Sequence, residues 1–216
     1  YDADMSMVNF RCVASKGEIL REGKLPIDKN EVCMNEREFW ALPYENYAAI
    51  VVWTKLYKRE IWTDLRFPVG KIHEDEAVLH KVLSKCKKIS VSNDICINYL
   101  VGNTKSIMAQ GFTYKSLAAI ESYAERIRYY FGKEYDEYLM NCFGMGSRML
   151  IQASEMLDTF PTEAQRLHKD LCKEYKYLAK EIRKRVPDFS TKVRLTLFCV
   201  NIKLYAKIRN ARNNVT

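Results

Sequence analysis

The sequence is poor in several features that mark particular classes of protein. It holds only 8 glycines and 5 prolines in 216 residues, and it contains no internal repeat or low-complexity tract. It has no run of about 18 apolar residues, the length that a membrane-spanning helix needs. These absences argue against a disordered chain, a repeat protein and a membrane span. Because 48% of the residues are hydrophobic, the chain can bury the core of one large domain or two small ones.

The sequence also lacks the patterns of a disulfide framework or a zinc site. Its seven cysteines are odd in number and include no CxxC pair, and its histidines, His73, His80 and His168, lie far from any paired cysteines. Secreted disulfide-rich proteins carry even, regularly spaced cysteines. We therefore expect reduced thiols, a cytoplasmic location and no structural zinc. Residues 1–4 form neither a signal peptide nor a methionine start, so we expect the chain to be part of a longer protein.

The net charge is concentrated at one end of the chain. Residues 183–216 hold nine Lys and Arg and a single acidic residue, Asp188, and therefore carry the full net charge of +8. The rest of the chain is neutral overall. The net positive charge is thus a property of the C-terminal segment and does not indicate a basic surface over the whole protein.

The first half of the chain has the pattern of a small sheet with short helices, and the second half has the pattern of helices alone. In the first half we predict strands over residues 3–13 and 18–22 joined as a hairpin, a helix over 35–42, a buried run over 47–54, a helix over 74–86, and strand structure over 88–99 around a turn at Asn93-Asp94. In the second half we predict a helix capped by Thr113 and ended by Gly132, one over 134–157, one opened by Pro161 and broken by Pro187, and one from Ser190 to about Asn210. The predicted fold class is mixed α/β, with a boundary between residues 110 and 111.

Three successive carboxylates, Glu74, Asp75 and Glu76, stand at the predicted start of a helix. The unpaired N–H groups and the dipole at a helix N-terminus stabilise ionised carboxylates. Such a carboxylate at the lip of a strand-rich domain suits a general base for a sugar hydroxyl. Acids in the first helical turn are also routine capping features, so the spacing alone leaves both interpretations open.

The residues around this cluster carry a resemblance to a known family. The relevant runs are Trp53-Thr54-Lys55-Leu56-Tyr57, Arg66-Phe67-Pro68, Glu74-Asp75, Asn98-Tyr99 and Ser106-Ile107. In this order and at this spacing they resemble inverting family-2 glycosyltransferases of the GT-A type, which build bacterial surface polysaccharides. The resemblance covers residues 1 to about 110 and implies an incomplete GT-A-like sheet there, followed by an all-α region over residues 111–216.

The resemblance implies roles for individual residues. Asp75 would be the base that deprotonates the acceptor hydroxyl, with Glu74 positioning it or the acceptor. His73, Lys55, Trp53 and Arg66 would bind substrate, although His73 can also be a packing residue and Lys55 a solvated charge. The family often has an arginine after the aromatic strand, where this chain has Leu100-Val101, so the phosphate contact of that arginine is not implied here.

The resemblance also implies a part that these 216 residues do not hold. Family members bind the nucleotide-sugar in an N-terminal half that ends in an apolar strand and a metal-binding Asp-x-Asp motif. Asp2-Ala3-Asp4 mimics this motif but precedes a strand instead of following one. We therefore expect no metal on this chain, a divalent ion (Mg or Mn) in the complete enzyme, and no sugar transfer by the 216 residues alone.

The C-terminal basic segment allows further interpretations. Val193, Leu197, Val200, Leu204 and Ile208 recur at helical spacing, opposite a polar stripe that includes Lys203 and Lys207. Such a helix could make peripheral membrane contact through residues 190–210, which suits a lipid-linked or glycan acceptor at the inner face of the plasma membrane. It could equally dock on the helical region. The alternative function is a non-catalytic module whose tail contacts membrane, nucleic acid or a partner protein. The tail carries no nucleic-acid-binding motif, so we expect no nucleic-acid partner.

Overall fold

The computed structural model describes residues 2–42, 47–102 and 111–213, and for Tyr47 and residues 208–213 it describes the backbone alone. The predicted helix stop at Pro43 and the Ser106-Ile107 step lie outside the described residues. The chain forms two compact units, Tyr1–Gly111 and Phe112–Thr216. Strands are confined to the first unit among the described residues, and the second unit is helical. The mixed α/β class predicted from the sequence is therefore confirmed at this coarse level.

The first unit is built on a five-stranded sheet whose central strands are parallel. The strands are β1 (Met5–Val13), β2 (Ile19–Glu22), β3 (Glu31–Met34), β4 (Lys55–Tyr57) and β5 (Ile89–Leu100). Their order is β2-β1-β5-β3, and β4 pairs with the first part of β1 on the same edge that β2 pairs with further along. The helices are α1 (Glu36–Trp40), α2 (Tyr47–Ile50) and α3 (Glu74–Leu83), with short 3-10 helices at Val52–Thr54 and Arg59–Trp62. The predicted hairpin of the first two strands is confirmed.

The turn predicted at Asn93-Asp94 is wrong, because β5 runs through these residues as one strand. Its pairing with β1 shifts register here: Met7 faces Val91, but Asn9 faces Ile95. The extra residues bulge out, which lets polar side chains occur in mid-strand without ending it. The Asn93 side chain accepts a hydrogen bond from Leu25 N–H at 2.7 Å and so holds the loop that precedes β3. Turn-forming residues therefore mark a bulge at this position.

The second unit is a group of helices packed around aromatic side chains. The helices are α4 (Leu117–Lys133), α5 (Leu139–Glu155), α6 (Thr162–Arg185), α7 (Phe189–Val200) and α8 (Ile202–Asn213). Buried Phe143 of α5 lies 5.8 Å from the Tyr175 ring of α6 and 5.1 Å from the Phe198 ring of α7. The Tyr175 hydroxyl donates to the Ile120 carbonyl of α4 at 3.0 Å, so this core ties four helices together.

The predicted final helix is corrected in two respects. Asp188, and not Ser190, caps α7, since its carboxylate accepts from Thr191 N–H at 2.6 Å. The helix does not continue to Asn210, because Asn201 leaves the helical conformation (φ −146°, ψ 97°) and α8 begins after it. The Asn201 side chain accepts from Leu204 N–H at 3.0 Å, as an N-cap does. Among the described residues, no helix is long and apolar enough to cross a membrane.

Candidate active site

The candidate site begins at the strained residue that precedes α3. His73 occupies the N-cap position in the left-handed region (φ 59°, ψ 41°), and its side chain caps no backbone N–H. An N-cap residue usually has extended backbone geometry, and left-handed geometry is costly for a side chain other than glycine. Such strain persists where the surrounding structure enforces it, often at functional sites. The strained residue therefore marks the start of α3, where Glu74 and Asp75 follow, as a candidate functional site.

Asp75 is a half-buried carboxylate in the first turn of α3. Its Oδ1 accepts a hydrogen bond from Glu76 N–H at 2.9 Å. Burial raises the pKa of Asp75 above its usual value, and the negative charges of Glu76 and Glu74 raise it further, while the hydrogen bond from Glu76 N–H and the nearby His73 offset part of this effect. A carboxylate whose pKa is raised toward neutral pH is a better proton acceptor than an ordinary surface aspartate.

Lys55 is a buried lysine whose pKa responds to the charge of Asp75. Its side chain is only 6% exposed, and its ammonium group donates to the carbonyls of Ala48 (2.8 Å) and Val51 (2.6 Å) and to the Thr54 hydroxyl (3.2 Å). Burial lowers the pKa of Lys55 to about 7, against the opposing influence of the negative charges on Asp75 and Glu76. The interpretation of Lys55 as a solvated charge is therefore wrong. The negative charge of Asp75 acts on the pKa of Lys55, although the two residues are twenty positions apart in the chain.

The alternation of β4 explains why a lysine points inward. Leu56 is 79% exposed, while its neighbours Lys55 and Tyr57 face the other side of the strand. The Tyr57 hydroxyl donates to the Val52 carbonyl at 3.3 Å. Burial raises the pKa of Tyr57, and the negative charges of Cys86 and Asp75 add to the effect. The phenol of Tyr57 therefore stays neutral and acts as a hydrogen-bonding group.

Two residues of the site were given no role from the sequence. Glu76 is buried and its charge acts on both Lys55 and Asp75, and the charge of Asp75 acts on Tyr57. The sequence could have indicated Tyr57, because residues two apart in a strand lie on the same face and Tyr57 follows Lys55 at this spacing. The signal for Glu76 was its spacing, since Glu76, His80 and Leu83 follow at helical intervals and all are buried.

Trp53, two residues before Lys55 in the chain, forms an aromatic platform. Its ring stacks on Tyr99 of β5, with centroids 5.3 Å apart and planes 7° apart, and Phe10 of β1 meets it edge-on at 4.9 Å. The side chain remains 37% exposed. A large aromatic ring fixed on one side and open on the other can receive the apolar face of a ligand.

Arg66 belongs to a different local feature, an open pocket in the loop before α3. The pocket, about 480 Å³ in volume, is lined by Arg59, Trp62, Thr63, Leu65, Arg66 and Phe67. The guanidinium group donates to the carbonyl of Leu65 at 2.6 Å and also to that of Trp62. Much of the donor capacity of Arg66 is therefore used within its own loop. Its remaining N–H groups are available to a ligand in the pocket.

The Asp2-Ala3-Asp4 run does not fit a divalent metal. Lys58 pairs with both carboxylates, at 2.9 Å to Asp2 and 3.2 Å to Asp4. Asp4 also accepts from the backbone N–H groups of Lys87 (2.8 Å) and Lys88 (3.1 Å). These partners occupy the oxygens that a cation would need and bring a positive charge to the same place. Within the described ranges, no group of three or more His, Cys, Asp or Glu residues could hold a metal ion.

Comparisons with known proteins assign no family to the chain. No protein-family model matches it, and no curated protein matches it. The family resemblance therefore rests on the residue runs of the sequence alone.

Proposed function

We propose that this chain is the acceptor side of an inverting GT-A glycosyltransferase of family 2, with Asp75 as the general base. The observation that carries the proposal is the environment of Asp75: a half-buried carboxylate, with raised pKa, that follows a strained His73 and whose charge acts on the buried Lys55. An aspartate that served only as a helix cap would need neither the burial nor the buried cation.

The proposed step is a direct displacement. Glu76 N–H holds Oδ1 of Asp75, so Oδ2 accepts the proton of the acceptor hydroxyl. The hydroxyl oxygen forms a bond to the anomeric carbon of the donor sugar as the bond to the nucleotide diphosphate breaks, and the diphosphate leaves with the electron pair. A divalent ion (Mg or Mn) in the donor-binding half would neutralise the leaving diphosphate.

The remaining residues would bind the acceptor. Trp53 offers its exposed ring face to a sugar ring, and Tyr99 keeps that face at a fixed angle. His73 and Glu74 stand directly before the base, where they can hydrogen-bond neighbouring hydroxyls. Arg66 lines the adjacent open pocket. We propose a glycan or a lipid-linked glycan as acceptor, a nucleotide-sugar as donor, and the cytoplasmic face of the plasma membrane as the place of the reaction.

The role of the base is tested in an enzyme that joins the donor-binding half to this chain. Asp75→Asn keeps the shape of the side chain but removes its basicity, so turnover should fall by roughly 100-fold or more while the affinity for the donor stays near that of the wild type. Glu74→Gln is the matched control, and it should affect KM for the acceptor more than kcat. Turnover within about tenfold of wild type for Asp75→Asn would rule out the base assignment.

Acceptor binding is tested on the 216-residue chain itself. NMR titration with a panel of bacterial surface glycans should shift the signals of Trp53, His73 and Asp75 together, and Trp53→Leu should abolish the response. Trp40, which is buried, provides an internal control because its indole signal should not move. A glycan response that persists unchanged in Trp53→Leu would contradict the proposed platform. We expect no nucleotide-sugar turnover by these residues alone, and detectable turnover would refute that expectation.

A further inference from the structure

Helix α7 has two apolar faces, and only one of them is used in packing. Thr191, Leu195 and Phe198 are buried, and Phe198 meets Phe143 of α5 in the core. On the other side, Phe189 is 79% exposed, Val193 50% and Val200 77%. Helix α7 therefore packs on the helical unit, which is one of the two interpretations that the sequence left open, but it does not do so through the apolar stripe seen in the sequence. The stripe itself faces solvent.

The apolar residues on this side form a narrow, continuous stripe. At about 100° per residue, the exposed Phe189, Val193 and Val200 and the half-buried Leu197 fall within an arc of about 80°, and the centre of the buried face lies roughly opposite. Leu204 of α8, 44% exposed, adds a further apolar side chain beyond the break at Asn201. Four exposed large apolar residues on two consecutive helices are more than the scattered single residues of an ordinary surface.

The charged residues within α7 and α8 are all basic, and the acidic Asp188 before them is engaged in capping α7. Lys192 and Arg194 lie on either side of the apolar stripe, each about 100° from its centre. The sequence of α7 and α8 contains no Asp or Glu, and it adds Lys203, Lys207, Arg209 and Arg212. Long basic side chains beside an apolar stripe can lay their stems along hydrocarbon and place their charges among anionic headgroups. A protein partner would need an apolar groove lined with acidic residues on both sides, whereas an anionic bilayer surface meets both requirements everywhere.

We propose that the exposed stripe of α7, Phe189, Val193, Leu197 and Val200, together with Leu204, docks this unit on an anionic membrane surface. The apolar side chains enter the headgroup boundary, and Lys192, Arg194, Lys203 and Lys207 contact the lipid phosphates. The helices lie in the plane of the surface. This interaction belongs to the helical unit and does not depend on the glycosyltransferase proposal.

The test is co-sedimentation of the 216-residue chain with vesicles. The chain should sediment with vesicles of phosphatidylcholine and phosphatidylglycerol, less with phosphatidylcholine alone, and less at high salt. The double variant Phe189→Ser/Val200→Ser should lower binding by roughly tenfold or more, since it removes apolar area that the stripe would bury. The matched control is Leu56→Ser/Val69→Ser, which removes two side chains of similar exposure (79% and 100%) from the other unit and should bind as the wild type does.

A second pair of variants tests the charges. Lys192→Gln/Arg194→Gln should weaken binding by about fivefold for each charge removed, whereas Lys16→Gln/Lys29→Gln, at exposed positions of the first unit, should have little effect. Circular dichroism checks that each variant is folded. Equal binding by the stripe variant and its control would overturn the proposal. So would a chain that ignores vesicles but dimerises through Phe189 and Val200, or that binds single-stranded RNA independently of these residues.

Discussion

The ammonium group of Lys55 donates a hydrogen bond of 2.6 Å to the carbonyl of Val51, four residues earlier in the chain. The same group also reaches the carbonyl of Ala48, so one buried lysine closes the short stretch between α2 and β4. A buried ammonium needs partners for all its N–H groups, and here three oxygens supply them. Lys55 thereby fixes the backbone that carries Trp53 and places a positive charge near Asp75.

The buried position of Lys55 predicts a pH dependence of stability. Its pKa of about 7 in the folded state lies below the unfolded value of 10.5, so between these values the unfolded state binds more protons and stability rises with pH. Compared with Lys55→Met, the wild type should gain up to about 1.4 kcal/mol per pH unit between pH 7 and 9. Urea unfolding at several pH values measures this difference.

The control for this prediction is Lys58→Met. The pKa of Lys58 is raised, first by its hydrogen bonds to Asp2 and Asp4, so its contribution to stability should be constant below pH 10 and should be lost only at higher pH. The difference between wild type and Lys58→Met should therefore be flat from pH 7 to 9. Parallel pH profiles for wild type and Lys55→Met would show that Lys55 keeps its ordinary pKa in the folded protein.

The strain at His73 predicts that removing its Cβ atom stabilises the protein. His73→Gly relieves the left-handed conformation and should raise the free energy of unfolding by up to about 1 kcal/mol, whereas His73→Ala should not. Thermal and urea unfolding compare the two variants. If His73 serves the site, the more stable glycine variant will bind acceptor glycans more weakly. A His73→Gly variant no more stable than His73→Ala would contradict the strain.

The close packing at Gly146 predicts a large loss of stability when a single methyl group is added. A Cβ there would overlap the Tyr175 hydroxyl and lie 2.6 Å from Cζ of that ring. We expect Gly146→Ala to cost at least about 2 kcal/mol, because the ring is buried and holds the Ile120 carbonyl. Gly144→Ala, in the same helix with open space around it, should instead be neutral or stabilising by about 0.5–1 kcal/mol.

A double variant tests whether Tyr175 is the cause. Tyr175→Phe removes the hydroxyl that the new methyl group would meet, so Gly146→Ala should cost less in the Tyr175→Phe background than in the wild type. Additive losses in a thermodynamic cycle would place the strain elsewhere.

The break between α7 and α8 predicts that Asn201 acts as a cap. Asn201→Ala removes the acceptor for Leu204 N–H and should lower the free energy of unfolding by about 1 kcal/mol, while Asn201→Asp should keep most of it. Urea unfolding followed by circular dichroism measures both. Greater helicity and stability in Asn201→Ala would show instead that the two helices prefer to join.

The local pattern of the sequence was enough to predict most elements of the fold. Apolar patterns located β1, α3 and the long helices of the second unit, because each of these elements buries one face and so repeats its apolar residues. The hairpin pattern located β2, whose four residues are all exposed. The predictions failed at two asparagines whose side chains accept hydrogen bonds from backbone N–H groups. Asn93 serves a distant loop from within a strand, and Asn201 interrupts an otherwise continuous helical pattern with its own cap.

The candidate site was predictable only in part. The order of the motifs singled out Asp75 and its neighbours, but the sequence alone could not separate a base from a helix cap, because both place a carboxylate in the first helical turn.

By itself, the sequence determined the coarse class of the protein, the placement of its net charge in one terminal segment, and the residues that are candidates for chemistry. Only the tertiary structure decided that Lys55 is buried and feels the charge of Asp75, that His73 is strained, and that the apolar stripe of α7 faces outward while its other face packs on the core. The physical reason is the same in each case. Burial and charge proximity depend on residues far apart in the chain, and a repeating pattern shows that a helix has an apolar face without showing what that face meets.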